Sequence, residues 1–258
     1  MLILKVQYCY RKGLKTSMYT FNSRVRYSEM NHQRKTLNPS SIINYYQDCS
    51  TFQSNDMVPE QSSLKEKNRV WLLNSWQLDV RRFAHLGDYI TIGTWPYNFK
   101  GFYGYRNFIM KNEKEEVLSV ANSIWVYIDT KTGHPARIPD HTGYETEPPY
   151  PMDYANRKIE IPLDLVTYPS FLIIKSNIDS YNHVNNGQYI KMAEEFLPEN
   201  LFVSGMRVEY RMQAILGDII VPMVNLNDEY LTVVLSSIEN LPYAIIEFQI
   251  IQQGKQPI

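Results

Sequence analysis

A short segment in the second half of the chain combines a carboxylate, an imidazole and several amides: residues 179–189 read DSYNHVNNGQY. A helical pattern follows over residues 189–196. A carboxylate and a His four residues apart at a helix entrance, Asp179 and His183, can act as a general-base pair, and the free N–H groups of a helix start can hold a developing oxyanion. The same residue types also cap helices and form turns, so the segment alone leaves a structural role open.

Other catalytic chemistries lack their residues. The chain has no Gly-x-Ser-x-Gly, Cys-x-x-Cys or His-Glu-x-x-His motif and no Gly-rich nucleotide fingerprint, so we expect no serine triad, no metal and no cofactor. Cys49 lies on the apolar stripe of a predicted helix and is expected to pack in the core, and Cys9 has no His nearby. The remaining histidines lie in turn-like surroundings and are interpreted as structural or solvated: His32, His85, His134 and His141.

Composition limits the class of protein. The 258 residues suffice for one large domain or for two of about 100–130 residues each. Lys and Arg (26) nearly balance Asp and Glu (27), which argues against a general binder of nucleic acid or anionic membranes. Two cysteines favour a reducing compartment, and no apolar run approaches the ~18 residues that span a bilayer. The four apolar residues before Lys5 are too few for a signal peptide, so a soluble, cytoplasmic protein is expected.

The first half reads as a strand, a helix and then several strands. Asn38 and Pro39 begin the predicted helix, whose apolar residues keep helical spacing over residues 41–55. The predicted strands cover residues 17–28, 70–82, 89–96, 101–111 and 117–129, with turns at 85–88, 98–100 and 112–114. This order is typical of an α+β fold with one helix against an antiparallel sheet.

The same order returns after a Pro-rich stretch at residues 134–162, which we interpret as an extended linker. The second half has predicted strands at 171–175, 203–213, 219–226, 231–237 and 244–252, and a helix at 184–196. Residues 81–88 (RRFAHLGD) and 211–218 (RMQAILGD) share Arg, Ala and a Leu-Gly-Asp turn at an offset of 130. Because the element order also matches, a tandem duplication is favoured over two unrelated hairpins with similar turns.

Six fragments in order make the chain resemble the acyl-acyl-carrier-protein (acyl-ACP) thioesterases of plant plastids and many bacteria. They are residues 69–76 (RVWLLNSW), 87–96 (GDYITIGTWP), 106–108 (RNF), 121–129 (ANSIWVYID), 183–186 (HVNN) and 208–211 (VEYR). The resemblance implies two tandem hotdog domains, each a long central helix wrapped by an antiparallel sheet. We assign residues 1–134 to an N-terminal hotdog holding the acyl chain, 135–162 to the linker and 163–258 to a C-terminal hotdog holding the catalytic groups.

The family's catalytic pattern is Asp-x-Asn-x-His-Val-Asn-Asn, with a later acidic residue after a Glu-Tyr-Arg or Glu-Tyr-Lys strand. Asp179 and His183 match it. The Asn position falls on Tyr181, an Asn follows one place later as Asn182, and the late acidic position falls on Gln213. Glutamine cannot take up a proton, although its amide can orient a water or donate to an oxyanion.

The resemblance implies hydrolysis of an acyl thioester. Asp179 would activate water or attack as a nucleophile, and His183 would polarise the carbonyl or carry a proton. Asn182 or the amides around Val184 would hold the oxyanion, and Gln213 would orient the water.

The implied partner is acyl carrier protein, which is acidic and presents the acyl chain on a phosphopantetheine arm. Lys175 and Lys191 are candidates for a local basic patch. Four tryptophans of the first half fill a core or border the acyl chain: Trp71, Trp76, Trp95 and Trp125.

Two other functions stay open. Because Tyr181 and Gln213 depart from the pattern, the chain could be a non-hydrolytic acyl-binding or regulatory hotdog protein with a decayed site. A hotdog dehydratase or hydratase also uses an acid and a His, although the strand order here follows the thioesterases. A homodimer is left open, and one sequence does not fix the acyl chain length.

Overall fold

The fold is one long antiparallel sheet with two helices packed on it. A computed structural model of the chain describes residues 18–57, 68–140 and 142–252. The strands are β1 (Tyr19–Arg24), β2 (Arg69–Val80), β3 (Tyr89–Lys100), β4 (Tyr103–Asn112), β5 (Val117–Asp129), β6 (Val166–Thr167), β7 (Phe171–Leu172), β8 (Leu201–Tyr210), β9 (Ile219–Leu226), β10 (Tyr230–Ser236) and β11 (Pro242–Gln252), and the helices are α1 (Pro39–Met57) and α2 (Asn186–Glu194).

The sheet consists of two half-sheets with the same internal order. The strand order is β1-β3-β4-β5-β2-β8-β11-β10-β9-β6, and β7 also pairs with β9. The halves meet where β2 pairs antiparallel with β8, with Trp76 opposite Val208 and Leu78 opposite Met206. The tandem hotdog prediction is therefore confirmed: each half wraps one helix, and every strand pair in the described residues is antiparallel.

Both helices lie where the sequence predicted them, but with different ends. Pro39 is the first residue of α1, where its missing N–H costs nothing and its fixed φ fits the helix. The second helix is shorter than predicted: Asn185 caps it, and it ends at Glu194. Phe196 N–H then bonds to Ala193 O at 3.1 Å in a tighter turn, and Pro198 follows, which disfavours helical conformation in the residue before it.

Several predicted boundaries in the sheet were wrong, among them those of β1, predicted at 17–28, and the end of β7, predicted at 175. The turn predicted at residues 98–100 lies inside β3, which continues to Lys100 because a register shift between Pro96 and Asn98 lets the strand pass the proline. The reversal comes at Gly101, with φ of +65°. The strand predicted to end at Gln213 ends at Tyr210, so Gln213 lies in the turn between β8 and β9.

The Pro-rich stretch has no helix or strand between β5 and β6 in its described residues, and it contacts both halves. Trp95 Nε1 donates to Pro148 O in the first half, and Ile159 N–H donates to Glu209 Oε2 in the second. The prolines explain the lack of regular structure, because each removes a backbone donor. The boundaries proposed at 134/135 and 162/163 stay a prediction.

A single large core joins the two halves. Trp76 lies in it with Tyr46 and Phe108 of the first half, their ring centroids 4.9–6.3 Å apart. Cys49 is fully buried there, as expected, and burial raises the pKa of its thiol to about 12, which disfavours the thiolate that a nucleophile requires. Within the described residues, neither helix has the length and apolarity to cross a bilayer.

Candidate active site

The residues Asp179 to His183 form a tight turn at the entrance of α2. Asp179 N–H donates to His183 O at 2.8 Å, and an isolated bridge between Ile178 and Val184 closes the turn. Both side chains are partly buried. The turn therefore brings the carboxylate and the imidazole to the same corner of the second half.

Asp179 and His183 do not form the hydrogen-bonded pair that their spacing suggested. Oδ1 of Asp179 accepts the N–H of Tyr181 at 2.8 Å, which leaves Oδ2 without a donor among the described residues. The imidazole of His183 likewise makes no hydrogen bond to any residue that the structure describes. Catalytic contacts often form only when substrate is bound, so the arrangement is compatible with a site that closes around a thioester.

The two intervening site residues are exposed. Asn182 has φ of +63°, a left-handed conformation that Asn tolerates better than most residues, and its N–H donates to Asp179 O at 3.1 Å. In the corresponding turn of the first half Lys35 has a similar φ of +54°, so the turn accepts Asn here without requiring it. Tyr181 is 58% exposed.

The turn between β8 and β9 holds the predicted Gln213 next to this corner. Ala214 O accepts the Val184 N–H at 2.9 Å, and Ala214 N–H donates to the Tyr189 hydroxyl of α2 at 2.8 Å. Gln213 itself is exposed. Two hydrogen bonds to its neighbour therefore place Gln213 beside the start of α2, and its role there stays a prediction.

Tyr189 helps to hold the Gln213 turn against α2, a role that the sequence did not reveal. Burial raises the pKa of its phenol to about 12, and the negative charges of Asp218 and Asp179 act in the same direction. In the sequence Tyr189 is one aromatic residue on a helical stripe, and nothing distinguishes it from core packing.

Most backbone N–H groups at the start of α2 already donate hydrogen bonds within the protein. Val184 N–H donates to Ala214 O, Asn185 N–H donates to Asn177 O at 3.0 Å, and Gly187 N–H donates to Asn185 Oδ1 at 2.8 Å. The amide of Val184 itself is therefore not available to an oxyanion in this conformation. That the side chain of Asn182 or another amide near Val184 holds the oxyanion stays a prediction.

Helix α1 of the first half reaches the start of α2. Asn186 Nδ2 lies 3.5 Å from Gln47 Oε1, a long hydrogen bond, and a Cβ added to Gly187 would lie 2.3 Å from Asn44 Oδ1. A side chain at position 187 would force the side chain of Asn44 to move. The first half thus contributes polar groups to the corner, which a sequence read one element at a time does not show.

The opposite end of the same helix pair holds a buried carboxylate. Glu194 of α2 accepts Ser40 N–H at 2.7 Å and Ser40 Oγ–H at 2.8 Å, at the start of α1. Burial raises the pKa of Glu194 to about 7, although the Ser40 hydrogen bonds and the positive charges of Arg34 and Lys191 favour the ionised form. Glu194 was not among the predicted residues.

Two cavities lie elsewhere in the described part of the chain. One of about 280 Å³ lies beside α1 and is lined by three aromatic side chains and by seven polar or charged residues, including Asn44, the residue that touches Gly187. A larger open cleft of about 670 Å³ lies between the β3–β4 hairpin and residues 137–140 and 142–146, and no predicted site residue lines it. Among the described residues no three His, Cys, Asp or Glu side chains are placed to hold a metal ion, and the absence of a cofactor stays a prediction.

Comparison with known proteins decides the family. The profile of the acyl-ACP thioesterase N-terminal domain matches residues 16–144, half of the chain. The chain belongs to the acyl-ACP thioesterase family.

Relatives in plants share part of this sequence. A chloroplastic palmitoyl-acyl carrier protein thioesterase of Cuphea hookeriana is 29% identical over 175 residues, 62% of this chain and 42% of its own length. A chloroplastic acyl-[acyl-carrier-protein] hydrolase of Cuphea viscosissima is 26% identical over 199 residues, 69% of this chain and 48% of its own length. The chain therefore spans less than half the length of these curated relatives.

Solved structures share the whole fold. An acyl-ACP thioesterase from Bacteroides thetaiotaomicron superposes with a TM-score of 0.83 at 17% identity, over 91% of this chain and 98% of that one. A 12:0-ACP thioesterase from Umbellularia californica superposes with a TM-score of 0.82 at 14% identity, over 93% of this chain and 100% of that one. At this level of identity the likeness establishes the tandem fold and nothing about individual residues.

Proposed function

We propose that the protein hydrolyses the thioester of fatty acyl-ACP, releasing a free fatty acid and ending chain elongation. One observation carries the proposal: Asp179, His183 and the Gln213 segment meet at the start of α2, joined by the Val184–Ala214 hydrogen bond, in a chain that belongs to the acyl-ACP thioesterase family. These are the positions at which the family pattern has its catalytic residues.

Hydrolysis requires an activated oxygen, a stabilised oxyanion and a leaving group. Asp179 either accepts a proton from the attacking water or attacks the carbonyl carbon itself, with water then cleaving the anhydride. Asn182 donates to the oxyanion, and the C–S bond breaks to release a thiolate. A thiol with a pKa near ~8.5 leaves readily, so the proton that His183 can deliver matters less than its polarising of the carbonyl. Gln213 orients the water.

The acyl chain lies in the first half in this proposal. The cavity beside α1 does not supply an apolar channel for it, because three aromatic side chains line that cavity together with seven polar or charged residues, among them Arg26, Glu29 and Asp48. The path of the acyl chain through the first half stays a prediction. The plant relatives named for palmitoyl and dodecanoyl substrates differ in chain length, so the preferred length here has to be measured.

A non-hydrolytic acyl-binding protein is the second candidate. It is favoured by Gln213, which cannot act as a base, and by the imidazole of His183, which lacks an orienting partner among the described residues. In either case the proposed partner is acyl carrier protein with a phosphopantetheine-linked acyl chain, and we propose a cytoplasmic location, with a homodimer left open.

The test is to incubate the purified protein with a panel of acyl-ACP thioesters and to measure free thiol and free fatty acid together. Equal release of both, dependent on the protein, supports hydrolysis. Tight binding of acyl-ACP without release of thiol would replace the hydrolase by the acyl-binding candidate. If the protein releases neither free thiol nor free fatty acid and does not bind acyl-ACP, both candidate functions are wrong.

A further inference from the structure

Five exposed apolar side chains lie together beside the candidate active site. We call them the apolar patch; they are Leu172 (56% exposed), Ile174 (54%), Ile215 (50%), Leu216 (52%) and Ile219 (41%). Backbone pairing joins the two segments that carry them. Leu172 lies opposite Ile219, and Ile173 N–H donates to Asp218 O at 2.8 Å. Contiguous exposed apolar surface of this kind marks an interaction site.

The first half shows that the fold does not require this patch. Its equivalent edge is built by the same contacts, since Arg24 lies opposite Tyr89 and Val25 N–H donates to Asp88 O at 2.9 Å. There Arg24 replaces Leu172: its Nε donates to Gly87 O, and its guanidinium lies 4.9 Å from the centre of the Tyr89 ring.

The other patch positions are also less apolar in the first half. Arg26 and His85 occupy the places of Ile174 and Ile215, and only Leu86 repeats the leucine of Leu216. The fold therefore accepts charged and aromatic side chains at this edge. Folding alone does not account for the exposed apolar residues of the second half.

The patch is continuous with the catalytic corner. Ile215 follows Gln213 by two residues, and the Ala214 between them bonds to Val184. Ile174 N–H donates to Asn177 Oδ1 in the short helical turn, Lys175–Asn177, that leads to Asp179. A large molecule that delivers a thioester to Asp179 and His183 from this side would cover this neighbouring surface.

The charges beside the patch indicate which kind of surface it fits. Lys175 is exposed at its edge. The acidic residue within it, Asp218, has its carboxylate turned inward, because Oδ2 accepts Ile215 N–H at 2.9 Å and the Tyr243 hydroxyl at 3.1 Å. An apolar surface with a positive edge is complementary to a partner surface that is apolar with acidic residues around it.

We propose that the apolar patch is the docking surface for the acyl carrier protein that delivers the substrate. This inference rests on the proposed function, because it assigns the partner of the same site. The carrier buries the five apolar side chains while its phosphopantetheine arm enters between the Asp179–His183 turn and the Gln213 turn.

The experiment compares Leu216→Asp with Leu86→Asp, the same substitution at the equivalent turn of the first half. Leu172→Asp, on β7 and away from the Gln213 turn, is a second patch variant. Each protein is assayed on one acyl chain carried either by acyl carrier protein or by free pantetheine. Binding is measured by calorimetry with the carrier bearing a non-hydrolysable thioether, and the oligomeric state by sedimentation.

Both patch variants should raise the KM ratio of carrier-bound to pantetheine-bound substrate about 10-fold or more, as expected when a charge replaces a leucine that binding would bury. Leu86→Asp should leave that ratio within about twofold. Equal effects on both substrates, or no effect, would overturn the docking surface. So would conversion of a wild-type dimer to a monomer by Leu216→Asp, since the patch would then be a contact between copies.

Failure of the proposed function gives a different result. If the wild-type protein hydrolyses neither substrate, the thioesterase proposal fails, and the calorimetry alone decides the docking surface. Carrier binding that is lost in both patch variants and kept in Leu86→Asp supports it. Binding that is absent, or that is equal in all the variants, overturns it.

Discussion

The corner that carries Asp179 and His183 has a counterpart in the first half, a turn that is one residue longer, is closed by a corresponding hydrogen bond and has different side chains. Asn31 N–H donates to Thr36 O at 2.8 Å, as Asp179 N–H donates to His183 O. Leu37 then bonds to Ala84 O as Val184 bonds to Ala214 O. The repeated turn places two side chains at the entrance of a helix, and only in the second half are those side chains a carboxylate and an imidazole.

The two helix entrances also receive different groups from the opposite helix. Glu194 reaches the start of α1 and accepts two hydrogen bonds from Ser40, whereas Gln47 reaches the start of α2 and meets Asn186. A carboxylate offsets the partial positive charge of a helix N-terminus, and a neutral amide leaves it in place. The first-half entrance therefore loses positive potential whenever Glu194 is ionised, and the second-half entrance keeps the potential that the proposed reaction would use at an oxyanion.

The two corners should differ most in their effect on activity when the last residue of each turn, His183 or Thr36, is replaced by alanine. His183→Ala should lower kcat/KM for acyl-ACP by at least ~10²-fold, the low end for losing acid–base help. Thr36→Ala, at the counterpart position, should change it by less than about twofold. Steady-state kinetics measure both. Similar losses in the two variants, with unchanged melting, would mean that the corners are not functionally different.

The buried carboxylate at the first-half entrance should make stability depend on pH. Its pKa in the folded protein, about 7, is above the unfolded value of 4.5, so the folded state binds the proton more tightly. The contribution of this bound proton to the free energy of unfolding is complete below pH 4.5 and is lost as the pH rises through 7. Urea unfolding of the wild type should show this loss, on the order of 2 kcal/mol, between pH 4.5 and pH 8.

Glu194→Gln should remove that part of the pH dependence. Glu195→Gln, which changes the neighbouring exposed carboxylate, should keep it. A wild-type profile that matches the Glu194→Gln profile would contradict a raised pKa at this position.

Making the second entrance resemble the first should reduce activity. Gln47→Glu places a carboxylate at the start of α2, where it opposes a developing oxyanion, and should lower kcat about 10-fold. The melting temperature should stay the same or rise, because the charge favours the helix. Thr51→Glu, which adds the same charge one turn further along α1, is the control. An unchanged kcat for Gln47→Glu would show that the potential at this entrance does not assist the reaction.

The smallest expected change concerns the departure from the family pattern. Gln213→Glu adds a titrating group beside Asp179, so the pH–rate profile should shift, because two interacting carboxylates titrate as a coupled pair. Gln33→Glu, on the exposed first-half turn that corresponds to Asp179–His183, should leave the profile unaltered. A profile that Gln213→Glu does not move would place Gln213 outside the reacting groups.

Local sequence patterns predicted the helices and strands but did not predict the contacts between the two halves. Strands β5 and β9 have the predicted bounds because turn residues flank clear β-patterned runs. The end of β8 was predicted three residues late, since nothing in the residues before Gln213 signals where the ladder with β11 stops. The corner itself followed from sequence because Asp179, His183 and their turn are local.

The cross-helix contacts follow from tertiary packing. Gln47 and Asn186 are 139 residues apart, and Ser40 and Glu194 are 154 apart, so no local spacing connects either pair. The Leu-Gly-Asp turn revealed the duplication, but the helices repeat at a different offset from the turns. Their equivalence appears only when the halves are superposed through their hydrogen bonds.

The most direct test of the central claim, that the reaction takes place at the second-half corner, is single-turnover hydrolysis of acyl-ACP by Asp179→Asn. This substitution keeps the size of the side chain and the acceptor for Tyr181 N–H while removing the base and nucleophile. We expect a rate at least ~10²-fold below wild type with unchanged melting, and a wild-type rate for Asn31→Asp at the counterpart position. A near-normal rate for Asp179→Asn in a folded protein would contradict the claim.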